Sequence, residues 1–155
     1  EGKGSIFTFT IPNKRIIVKE IEEIPISTKF DMSRIKELTL LIAEDEDVSS
    51  ELLLAYFNDV VDKIIIVRDG KEAIEECKHN PNIDLILMDV KMPRMDGYEA
   101  TREIRKFNKE LIIIAQTAYA LPGDREISIK AGCNDYITKP IKKDELIEII
   151  NRHLS

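Results

Sequence analysis

A cysteine framework, a long apolar run and an excess of basic residues are all missing from this 155-residue chain. Its two cysteines, Cys77 and Cys133, stand far apart with no ligand spacing around them. They read as free thiols of a reducing compartment rather than as a disulfide or a metal pair. No apolar run approaches the ~20 residues that a bilayer crossing requires, and the start does not read as a signal peptide. The expectation is a cytoplasmic domain without membrane contact, with any anchor of a parent protein lying in other segments. Acidic residues number 29 against 23 basic ones, for a formal charge of −6. Such a surface repels phosphate backbones, which excludes nucleic acid as the expected partner. What remains, 43% apolar and 34% charged residues, is the composition of a soluble globular protein with room for one ordinary domain and a short extra piece.

From residue 36 onward short apolar runs alternate with helical patterns. The runs are Leu38–Ala43, Lys63–Val67, Asp84–Met88, Leu111–Ala115 and Tyr136–Thr138. Helices are expected between and after them. One has Val48, Leu52, Tyr56 and Val60 at helical spacing and Asp47 as a cap; one over 71–78 has Ala73, Ile74 and Cys77 on one face. Others cover 98–107 and 125–131, and the last, over 143–154, carries the stripe Leu146, Ile149, Ile150 and Leu154. Near-continuous Ile, Leu and Val in the runs implies strands covered on both faces, hence a parallel sheet. Right-handed crossovers place every strand's C-terminal end on one edge, where such sheets bind ligands. Just past those ends stand Glu44-Asp45-Glu46, Asp89, Thr117 and Lys139-Pro140. Carboxylates, a hydroxyl and a lysine therefore converge from distant segments. Carboxylates about 4 Å apart repel by roughly 4 kcal/mol per pair at an effective dielectric near 20, so they stay ionised together only with a cation.

The stretches LLIAEDE, LILMDVKMPRMDGYEA, IIIAQTAYA and GCNDYITKPI resemble the response-regulator receiver domain of two-component signalling, in order and spacing, over 36–155. That resemblance implies an α/β, doubly wound, five-stranded parallel sheet of the flavodoxin or receiver type, in strand order 2-1-3-4-5. It implies Asp89 as phosphoacceptor, with Glu44, Asp45, Asp89 and the backbone carbonyl of Lys91 as ligands of Mg²⁺, for which Mn²⁺ can substitute. Glu44 stands where the family more often has Asp; its extra methylene leaves direct and water-mediated coordination both open. Lys139 and Thr117 are the expected phosphoryl-stabilising groups, and Thr117 with Tyr136 the switch pair. Pro140 is expected to follow a cis bond, and Gly97 to take a positive φ in the turn after MPRMD. Lys91 and Tyr119 are expected to set the lifetime of the acyl phosphate, Tyr119 otherwise serving as a partner-facing aromatic. The implied partner is the phosphohistidine domain of a kinase or a histidine phosphotransfer protein. A Mg²⁺-dependent phosphohydrolase of similar fold would place a DxD pattern after the first strand, whereas here Glu leads. A degenerate binding module would not keep Asp89, Thr117 and Lys139 together. His79 and His153 read as residues of polar helix faces.

The opening EGKGSIFTFTIP resembles the terminal strand of a histidine-kinase ATP-binding domain. The expected division is therefore that remnant strand over 1–12, a linker over 13–35 and the receiver over 36–155, as in a hybrid sensor histidine kinase. None of the kinase's nucleotide-binding boxes is present, so no ATP site is expected here. Alternation over 5–11, followed by the run 15–19, implies an N-terminal strand or hairpin with Phe7, Phe9 and Ile11 on one face. A lone hairpin is marginal in water, so its sheet is supplied by the receiver's own surface or by a second copy of the chain. The second is favoured, because an unpaired edge adds readily to its twin, giving a homodimer through the strand. Deletion of residues 1–20 should then leave a folded, phosphorylatable monomer by light scattering; an unchanged mass would show that the strand is not the dimer contact.

Overall fold

Each apolar run is short and rich in branched side chains, which a sheet covered on both faces buries completely. The computed structural model describes residues 32–118 and 123–154. Its elements are, in chain order, α1 (Met32–Ile35), β1 (Thr39–Ala43), α2 (Asp47–Phe57), β2 (Lys63–Val67), α3 (Gly70–His79) and β3 (Leu85–Asp89). There follow α4 (Gly97–Arg105), β4 (Ile112–Thr117), α5 (Asp124–Ala131), β5 (Asp135–Thr138) and α6 (Lys143–His153). The N-terminal strand, its hairpin and dimer, most of the 13–35 linker, and Tyr119 lie outside the described residues. The turn α1 falls in the stretch read as linker, and its Ile35 is fully buried in the same layer as Leu40.

The five strands form one parallel sheet in the order β2-β1-β3-β4-β5, as expected. Period-two alternation divides the core into two layers. Leu40, Ile42, Leu85, Leu87, Ile114 and Ile137 pack with Leu53, Phe57, Leu146 and Ile150 of α2 and α6. Leu41, Ala43, Ile86, Met88, Ile113 and Ala115 pack with Ala73, Ile74, Cys77, Ala100 and Ile104 of α3 and α4. Each large side chain so withdrawn from water contributes about 1.5–3 kcal/mol.

Three local expectations are corrected. On α2 the buried face is Ser50, Leu53 and Phe57, while Val48 and Leu52 are 73% and 40% exposed. The triple leucine at 52–54 satisfies helical spacing in either phase, and the bulkier Phe57 selects the one that is buried. The N-cap of α2 is Glu46, not Asp47; Asp47 instead faces Arg68, 2.7 Å from its guanidinium. Gly97 does not take a positive φ: in this turn Arg94 does, at 63°. Gly97 opens α4, where a capping box holds the chain through Glu99 N–H to Asp96 Oδ1 at 2.8 Å. Its lack of a side chain is required by close approach, because a Cβ there would collide with the Asp89 carbonyl and with Met88 Cγ.

Gly97→Ala should therefore push α4 away from the end of β3. A loss of about 1–3 kcal/mol, the usual range for overpacking, should appear as a lower urea midpoint. An unchanged midpoint would show that the approach of α4 to β3 relaxes without strain.

Candidate functional site

Parallel pairing brings the C-terminal ends of β1, β3, β4 and β5 to one edge. The register ends at Ala43 beside Met88, Asp89 beside Gln116 and Thr117 beside Thr138, so Glu44 and Asp89 follow as neighbours on adjacent strands. The Lys139 ammonium reaches both, 2.7 Å from Glu44 Oε2 and 3.1 Å from Asp89 Oδ2. The Glu44 side chain is fully buried and Asp89 is 5% exposed, whereas Asp45 is open to solvent. Carboxylate oxygens of Glu44, Asp45 and Asp89 lie within 4.8 Å of one another. Three hard oxygen donors at that spacing, one of them open to solvent, fit a small divalent cation that keeps part of its water.

Burial pushes the Glu44 carboxyl up; the hydrogen bond from Lys139 opposes this, and the Asp89 charge adds to it. Burial alone would lower the Lys139 ammonium, but the hydrogen bond to Glu44 and the Asp89 charge hold it above the ordinary lysine value. The remaining expected groups surround this cluster. The Lys91 amide donates to Asp89 Oδ1 at 3.3 Å, which keeps the start of the loop against the carboxylate. Thr117 is buried at the end of β4, and its carbonyl accepts from the Lys139 amide at 2.7 Å. Tyr136 is half-buried on β5 against the α3–α4 layer. The Lys139-Pro140 bond is cis, as expected.

Several residues of the site carried no signal in the sequence. The turn after β2 braces both loops of the acidic edge. On one side the Arg68 guanidinium donates to the Glu44 carbonyl at 3.3 Å and to Ser50 Oγ at 3.0 Å, beside its pair with Asp47. On the other, Arg94 of the β3–α4 loop pairs with fully buried Asp69 and, at 2.8 Å, with Glu72. The Gly70 amide donates to the Met95 carbonyl at 3.2 Å. Gln116 is a further residue of this kind, its one sequence signal being a polar side chain inside an apolar strand. Cys77 and Cys133 are buried and free, and burial pushes the Cys77 thiol up to about 12 and raises Cys133 as well, which makes both inert. His79 is exposed, with Nδ1 2.8 Å from the Glu75 carbonyl. His153 departs from expectation: its Nε2 lies 3.0 Å from Asp135 Oδ2, partly buried against β5 rather than on a polar face. No helix among the described residues is long and apolar enough to cross a membrane.

The response regulator receiver domain family matches residues 40–151. The autoinducer 2 sensor kinase/phosphatase LuxQ of Vibrio vulnificus is 37% identical over 145 residues, 93% of this chain and 17% of that protein. Other hybrid or signal-transduction histidine kinases are matched over 7% to 13% of their length. Among solved structures, the receiver domain of sensor histidine kinase PA1611 from Pseudomonas aeruginosa PAO1 has a magnesium ion coordinated in its active-site cleft. It shares 39% identity at a TM-score of 0.70, covering 76% of this chain and 98% of that one. The receiver domain of Ssk1 from Saccharomyces cerevisiae, solved with the histidine phosphotransfer protein Ypd1, gives 29% identity and a TM-score of 0.69, with 75% and 88% covered.

Lys139→Met leaves two carboxylates facing each other with no cation between them. Removing one partner of a buried pair costs roughly 3–5 kcal/mol, so the urea midpoint at pH 7 should fall. The pH dependence follows from the raised Glu44 carboxyl, whose proton the folded form keeps to higher pH than the unfolded chain. The stability that proton contributes is complete below about pH 4.3, the ordinary glutamate value, and is lost as pH rises through the folded value. Without the ammonium the folded value moves further up. The variant should therefore regain more stability than the wild type between pH 7 and pH 5; equal slopes would show that Lys139 does not hold these carboxylates.

Proposed function

Because the chain belongs to the response regulator receiver domain family, we propose that it accepts a phosphoryl group from a phosphohistidine onto the carboxylate of Asp89. The observation that carries this reading is the Glu44–Lys139–Asp89 cluster with Asp45 at its open side. An Asp89 oxygen attacks phosphorus, the nitrogen–phosphorus bond breaks, and its electron pair returns to the donor imidazole, leaving an aspartyl phosphate. Glu44, Asp45, Asp89 and the Lys91 carbonyl are the residues to hold Mg²⁺, or Mn²⁺ in its place. Such an ion would neutralise the acids and the charge that grows on the phosphoryl oxygens.

This chain's own groups do the rest. Lys139 already points at Asp89 and follows the negative charge as it moves outward onto the phosphoryl oxygens. The Thr117 hydroxyl donates to one of those oxygens and draws its loop inward, and Tyr136 turns into the space released. The face built from α5, β5 and α6 is thereby re-formed, a population shift driven by contacts that exist only with the phosphoryl group bound.

The chain is read as the receiver portion of a cytoplasmic part of a hybrid sensor histidine kinase. Support comes from the LuxQ likeness, whose 145 residues reach well ahead of residue 40; on this reading 1–12 is the last strand of the kinase domain and 13–35 its linker. The partner is the kinase's own phosphohistidine domain or a histidine phosphotransfer protein of the kind solved with the Ssk1 receiver. Exposed Val48 and Leu52, beside Pro140 and next to Lys139, offer that partner an apolar rim.

Incubated with acetyl phosphate and Mg²⁺, the wild type should gain the mass of one phosphoryl group and Asp89→Asn none. A chelator should abolish the gain. Labelling of Asp89→Asn at the wild-type rate would sink the assignment.

A further inference from the structure

The strand β4 reads Ile-Ile-Ile-Ala-Gln-Thr, with one amide among apolar side chains. Gln116 is fully buried, and neither its Oε1 nor its Nε2 has a hydrogen-bond partner. Among the described residues the one other buried side-chain atom in that condition is Asp69 Oδ2, and it faces the Arg94 guanidinium. Burying an amide unpaired destabilises a protein, and a leucine of similar volume would not carry that penalty. Something other than the resting arrangement uses this side chain.

Its place in the sheet indicates what. Gln116 is the register partner of Asp89 on one side and of Ile137 on the other. Partners on neighbouring parallel strands project to the same face about 4.8 Å apart, so the carboxamide stands beside the Asp89 side chain. Lys139 leaves the end of β5, where its amide is bonded to the Thr117 carbonyl. Its ammonium nevertheless ends against Asp89 on β3 and Glu44 beyond β1. With the order β1-β3-β4-β5 and Thr138 paired with Thr117, the lysine side chain crosses β4 next to the end at which Gln116 stands. An ammonium has three N–H donors; two go to the carboxylates. Charge-assisted bonds are about twice as strong as neutral ones, which is why the carboxylates hold the ammonium and the amide does not.

We propose that Gln116 is a positioning residue for the phosphorylated state: its carboxamide oxygen accepts a hydrogen bond from the Lys139 ammonium once that group leaves Glu44 for the phosphoryl oxygens. This rests on the acceptor reading above. Phosphorylation turns the Asp89 carboxylate into an acyl phosphate and carries the charge outward, so the ammonium no longer has two fixed carboxylates to bridge. The amide on β4, beside its path, then becomes the nearest fixed acceptor on its own side of Asp89. The same residue raises the energy of the resting form, where it is unpaired, relative to the phosphorylated form, where it is paired, and so biases the switch toward the latter.

Beryllofluoride with Mg²⁺ serves as a phosphoryl stand-in, its binding followed by titration calorimetry on the full chain. Gln116→Met and Gln116→Leu should both resist urea better than the wild type in the absence of ligand. They should bind Mg²⁺ alone as the wild type does, and bind beryllofluoride with Mg²⁺ about tenfold more weakly, as expected for loss of one hydrogen bond to a charged group. Unchanged beryllofluoride affinity would overturn the inference and leave Gln116 a packing misfit. An equal loss for Mg²⁺ alone would also overturn it, since the amide would then be supporting the resting acid cluster. A wild type that does not bind beryllofluoride at all would overturn the acceptor reading itself, and this inference with it.

Discussion

One ammonium among buried carboxylates is the constraint on which the rest of this structure depends. Lys139 is 50 residues from Asp89 and 95 from Glu44 along the chain, and a parallel sheet is what makes them neighbours. The strands need apolar side chains on both faces to sit between two helical layers, and those layers withdraw Glu44 and Asp89 from water. Withdrawal raises the electrostatic stakes: like charges that would be nearly indifferent to one another in solvent repel strongly here. The ammonium is therefore a condition of the fold at this edge.

Holding the cluster in place falls to the loops, and these are tied to each other rather than to the sheet alone. Arg68 fastens the acidic loop from one side of the β2–α3 turn, and Arg94 fastens the loop after Asp89 from the other. Glu72 touches both: its carboxylate accepts from the Arg68 amide at 2.8 Å and pairs with Arg94 at 2.8 Å. The individual pairs are largely exposed and singly weak, yet the buried Asp69 carboxylate needs the Arg94 cation. That requirement explains why a non-glycine residue accepts a left-handed φ at position 94 while Gly97, three residues on, is needed for its small size. An expectation of positive φ at Gly97 assigned the right turn and the wrong residue.

The strands, their order and the cluster Glu44, Asp45, Asp89 and Lys139 were legible in the sequence for a physical reason. Buried parallel strands announce themselves by uninterrupted branched residues, and the ends of those runs locate one edge. Legibility failed where two choices satisfied the same local rule. Either phase of the α2 pattern has apolar residues at helical spacing, and the packing of Phe57 decided between them; Asp47 has a capping side chain, but it turns to Arg68 instead. The arginine brace was invisible because its partners, Arg68 with Asp47 and Arg94 with Asp69, lie in separate loops whose approach is known only from the fold. His153 was misplaced for the same reason, its partner Asp135 being on a different element.

Two departures from ordinary burial lie near Asp89. On α2 the chain buries Ser50, which donates to the carbonyls of Glu46 and Asp47 and receives Arg68, and turns Val48 and Leu52 outward. On β4 it buries an unpaired amide at Gln116, the register partner of Asp89. A protein selected only for stability would reverse both choices, placing leucines inside and polar groups outside. On the proposed function, an outward apolar rim suits a transient partner that docks beside Lys139. On the inference drawn for Gln116, an inward amide suits an ammonium that lets go of Glu44. If Asp89 takes the phosphoryl group as proposed, these two features divide the site's work in space, with the approach of the donor on the α2 side and the response to it on the β4 side. The carboxylate of Asp89 stands between them, on the strand that separates β1 from β4.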